Sequence, residues 1–209
     1  MNKNILSIET TTNICSVSLF SNDNLISIKE DYNRNHSTLL GKYINEIFYA
    51  QKFKLIDLDA IALSIGPGSY TGLRIGLSMA KGLAYTLEKP LIPIDTIESI
   101  NISVEDKDYF IVVPAYKEFC FVQEYRNGNK VDDIKFKNID DIKSKVNIYG
   151  YLEKDFDIKL NQILPSSKNI YRVAKENFNK YICYDIKSVK PNYVKPIKYK
   201  EIKSSKKMD

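Results

Sequence analysis

The chain has one histidine, His36, in 209 residues. Metal chemistry needs converging His, Cys, Asp or Glu side chains, and a single histidine excludes paired motifs such as HxxxH and HExxH. A Ser-His-Asp set would have to be built on His36, yet no serine sits in anything like a nucleophile elbow. The three cysteines, Cys15, Cys120 and Cys183, are odd in number and far apart. They indicate neither a disulfide framework nor a zinc site, and a reducing cytoplasm is the expected compartment. No apolar run approaches the roughly 20 residues of a membrane span. The opening MNKNILSIETTT is too short and too polar-flanked for a signal peptide, so no membrane contact is expected. Glycine is scarce too: of 8 in the chain, four lie between Gly66 and Gly76.

What is present is a soluble globular composition, 44% hydrophobic and 27% charged. It suits one domain or two small ones with a sizeable core. The net charge of +5 is uneven. Residues 1–104 carry 9 basic and 10 acidic groups, residues 105–186 carry 14 of each, and the last 23 carry 8 lysines and 2 acids. The positive excess therefore sits at the C-terminus, in KSVKPNYVKPIKYKEIKSSKKMD. Such a Lys/Tyr-rich stretch suits either a solvated end or contact with a nucleic-acid backbone.

Along the chain, Ile5–Ile8, Ile14–Phe20 and Leu25–Lys29 read as a meander of three strands separated by polar turns. A helix capped by Ser37 or Thr38 follows to Gln51, with Leu39, Leu40, Tyr43, Ile44, Ile47 and Phe48 at three- to four-residue spacing. Ile61–Ile65 is an apolar strand suited to a sheet covered on both faces. A second helix runs from about Thr71 to Glu88, stopped by Pro90, and Leu91–Ile94 returns as a strand. The pattern predicts a mixed sheet flanked by helices over residues 1–103. Residues 104–190 read as a smaller second unit. Its expected strands are Phe110–Val113, Phe119–Tyr125, Lys130–Phe136 and Val146–Gly150, and its helices lie near Ile139–Lys145 and Asn169–Tyr181. Residues 191–209 read as a Lys-rich tail.

The stretch SIGPGSYTGLRIG, between strand and helix, has the setting of a phosphate loop. It fits neither established form. A Walker A loop needs a lysine after its last glycine, and here none occurs before Lys81. The dinucleotide fingerprint needs GxGxxG, and here the spacing is GxGxxxG with Pro67 inside and only Asp95 as a candidate ribose acid. Glu9, Thr11, Gly66, Gly68, Ser69 and Gly72 are the candidate anion- or nucleotide-binding residues. Gly72, Gly76, Ala80 and Ala84 form one small-residue stripe on the helix. It invites close approach by the chain's own sheet or by another chain.

ILSIETTTNICSVSLF, the His36-Ser-Thr-Leu-Leu helix entry and LDAIALSIGPGSYTGLRIGLSMAKGLAY together resemble the TsaB (YeaZ) family over residues 4–96. The resemblance implies an α/β fold of the actin/Hsp70/sugar-kinase type, with two ribonuclease-H-like subdomains of mixed sheets flanked by helices. It implies a non-catalytic dimerization subunit of the bacterial complex that makes threonylcarbamoyladenosine in tRNA, with no cofactor of its own. ATP and a metal ion are then expected on its partners: TsaD, which transfers the threonylcarbamoyl group, and TsaE, an ATPase. tRNA is met through the complex, and a homodimer is expected when the chain is alone. His36, Leu40, Tyr43, Ile44, Ile47, Arg74, Met79 and Leu83 are the expected partner-interface residues. The sequence departs from the family pattern at Glu9, where an aspartate is usual. It departs again at Pro114–Lys117, where an Asp-Ala-Arg segment is usual, and its second half is short.

Three rival readings stand beside this one. A small ATPase or kinase of the same fold would use Glu9 and the glycine loop. A metallopeptidase would need ligands that one histidine does not supply. An RNA-binding module would use the lysines after Lys187.

Overall fold

A computed structural model describes residues 2–194 of the chain. The first five-stranded sheet comprises β1 (Asn4–Glu9), β2 (Cys15–Ser21), β3 (Asn24–Asp31), β4 (Ala60–Ser64) and β5 (Leu91–Ile94), in the order β3-β2-β1-β4-β5. β1–β2 and β2–β3 pair antiparallel; β1–β4 and β4–β5 pair parallel. The meander makes the antiparallel half, because short polar turns such as Asn22–Asp23 allow only hairpin returns. The parallel half is reached by two crossover helices, α1 (His36–Gln51) and α2 (Tyr70–Leu87).

Both faces of this sheet are covered, as the apolar β4 run anticipates. Leu6, Ile8, Val17, Leu19, Ile61 and Leu63 point into one core with Leu40, Ile44, Ile47 and Phe48 of α1 and Leu77, Ala80 and Ala84 of α2. Each fully buried Leu or Ile contributes roughly 1.5–3 kcal/mol. The opposite face carries Ile5, Phe20, Ala60, Ala62, Ile92 and Ile94. What covers it is α4 (Ser167–Glu176), through Ile170, Tyr171, Val173 and Ala174. Tyr171 stacks on Phe20 at 3.6 Å between ring centroids and its hydroxyl donates to Asp23 at 2.6 Å.

Residues 167–181 therefore belong to the first sheet, whereas the sequence reading groups them with residues 104–190. The physical reason is on the sheet: Ala60 and Ala62 leave a shallow apolar face that a helix must fill, and the chain supplies that helix only after building its second half. The expected single helix over Asn169–Tyr181 is divided at Asn177 into α4 and α5 (Phe178–Tyr181).

The second sheet runs β11-β10-β6-β7-β8, with β9 also paired to β7. Its strands are β6 (Tyr109–Pro114), β7 (Phe119–Arg126), β8 (Asn129–Lys130), β9 (Lys135–Asn138), β10 (Ile148–Gly150) and β11 (Leu160–Gln162). Strand order and direction repeat those of the first sheet: two antiparallel steps on one side, two parallel steps on the other. The repeat is one of topology, without crossover helices. The expected helix Ile139–Lys145 is only a 3-10 turn at Ile139–Asp141, in which Ile139 and Ile142 are buried and the adjacent lysines are not. A single turn ordering so few residues does not propagate into a helix. The expected strand Lys130–Phe136 breaks at Val131–Ile134, and β11 and the short α3 (Thr96–Asn101) add to the expected elements.

The two halves meet across a cleft. Tyr151 donates to Asn13 at 2.6 Å, and Arg34 pairs with Glu153, so both contacts tie the first half to the second. Of the expected tail, residues 191–194 are packed against the body; residues 195–209 lie outside the described residues. Among the described residues no helix is long and apolar enough to cross a membrane.

Candidate functional site: the glycine loop and the outer face of the helix pair

The glycine loop joins β4 to α2 and sits against the Thr10–Thr12 turn that ends β1. Ser69 N–H donates to the Thr11 carbonyl at 2.6 Å, and Thr10 Oγ1 donates to the Gly72 carbonyl at 2.9 Å. Ser69 caps α2, its Oγ accepting from Gly72 N–H at 3.3 Å. The glycines serve this contact. A Cβ on Gly72 would lie 2.0 Å from the Thr10 carbonyl oxygen, and one on Gly68 would lie 2.3 Å from that of Thr11. Gly66 has φ +110°, where a side chain would be strained, and the Asn192 carbonyl oxygen closes over it. The small-residue stripe of α2 thus faces its own sheet and turn.

Glu9 lies beneath this contact, fully buried. Its Oε1 accepts from Thr11 N–H and Thr11 Oγ1, both at 2.5 Å, while Oε2 has no hydrogen-bond partner. Burial pushes the Glu9 carboxyl above its ordinary range, against the lowering effect of the Thr11 hydrogen bonds. A metal–nucleotide pair needs an ionised carboxylate at the cleft wall and free backbone N–H groups in the loop. Glu9 is sealed off from the cleft, and the Ser69 N–H is taken by Thr11. These residues do not fit that group. Asp95 caps α3, its Oδ1 accepting from Ile97 and Glu98 N–H, while its Oδ2 accepts from Asn192. It is a structural cap, not a ribose acid. The cleft itself, about 350 Å³, is lined by Thr11, Ser69, Tyr70, Tyr116, Phe136 and the Arg34–Glu153 pair among others. Among the described residues no three His, Cys, Asp or Glu side chains converge as metal ligands.

The expected interface residues divide. His36 is buried, its Nε2–H donating to the Thr12 carbonyl at 2.8 Å, so it ties α1 to the turn. Leu40, Ile44 and Ile47 are also buried in the first core, so in this chain they present no surface to a partner. The same periodicity that marks an amphipathic helix marks its inward stripe, which is why they were singled out. Tyr43, Met79 and Leu83 are half-buried at the edge of that core. Arg74 is exposed, stacked on Tyr70 at 3.9 Å and donating to the Tyr193 hydroxyl at 3.2 Å.

The outer face of the pair holds residues the sequence reading missed. Tyr49 and Tyr85 are 86% and 74% exposed. Gly41 and Gly82 are exposed within the helices, and a Cβ on Gly82 would meet nothing within 4 Å. A signal was available. Tyr49 falls just off the stripe Leu40–Ile44–Ile47–Phe48, and Gly82 falls off the stripe Gly72–Gly76–Ala80–Ala84. A large aromatic facing water and a helical glycine with no internal neighbour are both unexplained by the chain's own packing.

The model of the family described as TsaD, tRNA N6-adenosine threonylcarbamoyltransferase, matches residues 26–202. The chain belongs to this family. Within it, the chain is similar to proteins named tRNA threonylcarbamoyladenosine biosynthesis protein TsaB. It is 31% identical to that of Buchnera aphidicola from Acyrthosiphon pisum over 136 residues, 63% of this chain and 62% of the relative. It is 37% identical to that of Escherichia coli K12 over 93 residues, 44% of this chain and 40% of the relative. The matches thus span less than two thirds of these relatives' length. The structure of YeaZ from Pseudomonas aeruginosa superimposes with a TM-score of 0.73 at 17% identity, covering 92% of this chain and 100% of that one. A second Pseudomonas aeruginosa structure, described as an uncharacterized protein with similarity to peptidase YEAZ, gives 0.74. The fold is accordingly of the actin/Hsp70/sugar-kinase type, with two ribonuclease-H-like halves.

Proposed function

We propose that this chain is a non-catalytic scaffold and dimerization subunit. It is required for threonylcarbamoyl transfer to the adenosine beside the anticodon of tRNA, and it acts by binding the catalytic subunit TsaD. The observation that carries this reading is the outer face of α1 and α2. Gly41, Tyr49, Met79, Gly82, Leu83 and Tyr85 make a surface where another helix pair can come close over the glycines and be gripped by the two tyrosines. The same face serves a homodimer when the chain is alone, because one self-complementary patch suffices for a two-fold pair.

The sealed glycine loop supports the non-catalytic half of the reading. Its donors and its carboxylate are turned to internal packing. ATP and a metal ion then belong to the partner subunits TsaD and TsaE. tRNA is met through the assembled complex, in the cytoplasm. The names of the relatives support the pathway.

The test is co-purification of this chain with TsaD from the same organism, followed by tRNA modification with each subunit omitted in turn. A complex whose activity needs this chain, and survives Glu9→Gln, upholds the reading. Failure to pair, together with ATP turnover by the isolated chain that Glu9→Gln abolishes, replaces it with the ATPase.

A further inference from the structure

The lysines at the C-terminus have no part in the helix-pair surface. Residues 195–209 hold six lysines and two acids; without them the totals of 31 and 26 fall to 25 and 24. The body is thus within one charge of neutrality, and almost all the positive excess lies in fifteen residues.

The structure fixes where those residues start. The strap before them is anchored at three points. Asn192 N–H donates to the Ile65 carbonyl at 2.7 Å, and Asn192 Nδ2 donates to Asp95 at 3.1 Å. Tyr193 packs on Tyr70 at 5.3 Å and takes the Arg74 hydrogen bond. Val194 packs against the core of the second half. The lysines therefore begin at a defined place, beside the first turn of α2, on the same helix whose outer face carries the proposed partner surface.

We propose that residues 195–209 are a polyanion-binding segment that takes the phosphate backbone of RNA. It rests on the proposed function only for the identity of that RNA as tRNA. A near-neutral body gives little long-range attraction for a polyanion, so the segment must supply it. Lysines neutralise phosphates one by one and release their counterions. Tyr199, among the lysines, and Tyr193, at the anchor, are of the type that stacks on unpaired bases. Anchoring beside α2 keeps the segment next to the assembled complex, which raises its effective concentration at RNA held there.

The experiment is fluorescence anisotropy of labelled tRNA, titrated with the full chain and with a chain ending at Val194, at low and physiological salt. The full chain is expected to bind at least about tenfold more tightly at low salt. Its log–log salt dependence should be steeper by up to about four, from six lysines at about 0.7 each. A full-length chain with these six lysines changed to glutamine should behave like the truncated one. Equal affinity and slope in all three chains overturns the proposal, as does binding to anionic phospholipid vesicles with none to tRNA. Capture of TsaD is measured on the same proteins. Capture without a tail effect on tRNA removes this inference alone; a tail effect without capture removes only the scaffold reading.

Discussion

Thr10 and Gly72 touch backbone to backbone: the Thr10 hydroxyl donates to the Gly72 carbonyl, and a single added Cβ on Gly72 would stand 2.0 Å from the Thr10 carbonyl oxygen. This contact turns what reads as a ligand-binding loop into an internal joint. It sets the angle at which α2 leaves the sheet, and so sets the outer face of the helix pair.

Gly72→Ala should therefore damage the fold. The overlap is with backbone, which cannot swing aside, so the cost should reach the usual overpacking range of roughly 1–3 kcal/mol or exceed it. In a chain of this size that lowers Tm by about 3–10 °C. Thermal unfolding by circular dichroism measures it. An unchanged Tm would mean the turn and the helix are less tightly joined than described.

Gly82 is the opposite case. Gly82→Ala meets open space and should stabilise the isolated chain by up to about 1 kcal/mol. Gly82→Arg should leave Tm within about 2 °C yet abolish pairing with TsaD and self-association, since it fills the space where a partner backbone would approach. Analytical ultracentrifugation and pull-down read the two effects apart.

Leu40→Ala and Tyr85→Ala should separate core from surface. Leu40 is 1% exposed, and its truncation should cost about 2–5 kcal/mol of stability. Tyr85 is largely exposed, so Tyr85→Ala should change stability by less than about 0.5 kcal/mol. Its association constant should nonetheless fall at least about tenfold, as for an aromatic anchor. Loss of pairing in a folded Leu40→Ala protein but not in Tyr85→Ala would reverse the assignment.

Glu9→Gln tests the sealed carboxyl through pH. Burial raises the folded carboxyl above its ordinary value of 4.5. The folded state thus holds a proton that the unfolded state releases more easily. Stability is highest below 4.5 and falls as pH rises from there through the folded value. Each tenfold in proton affinity is about 1.4 kcal/mol. Glu9→Gln should melt higher than the native chain at pH 7, with the gap closing as pH falls toward 4. A gap that persists unchanged in acid would point to packing and not to the charge.

The first half of the molecule was largely legible. Polar turns at Thr10–Asn13 and Asn22–Asp23, the apolar run of β4, the Ser69 cap and the stop at Pro90 are local signals, and each has its expected structure. The second half was less so. Its β11 is three residues at an exposed edge, and its 3-10 turn at Ile139–Asp141 carries a short apolar repeat that also suits a helix. The docking of α4 onto Ala60 and Ala62 is a contact more than 100 residues long in sequence, and no local pattern encodes it. At the site, glycine spacing revealed close approach without revealing what approaches. Periodicity selected Leu40, Ile44 and Ile47, which face inward, over Tyr49 and Tyr85, which face out.

The most direct measurement is reconstitution of tRNA threonylcarbamoylation with TsaD, TsaE and this chain. The four preparations are the native chain, Glu9→Gln, Gly82→Arg, and none. The account predicts activity with the native chain and with Glu9→Gln, and loss with Gly82→Arg and with omission. Activity lost in Glu9→Gln but kept in Gly82→Arg would contradict it.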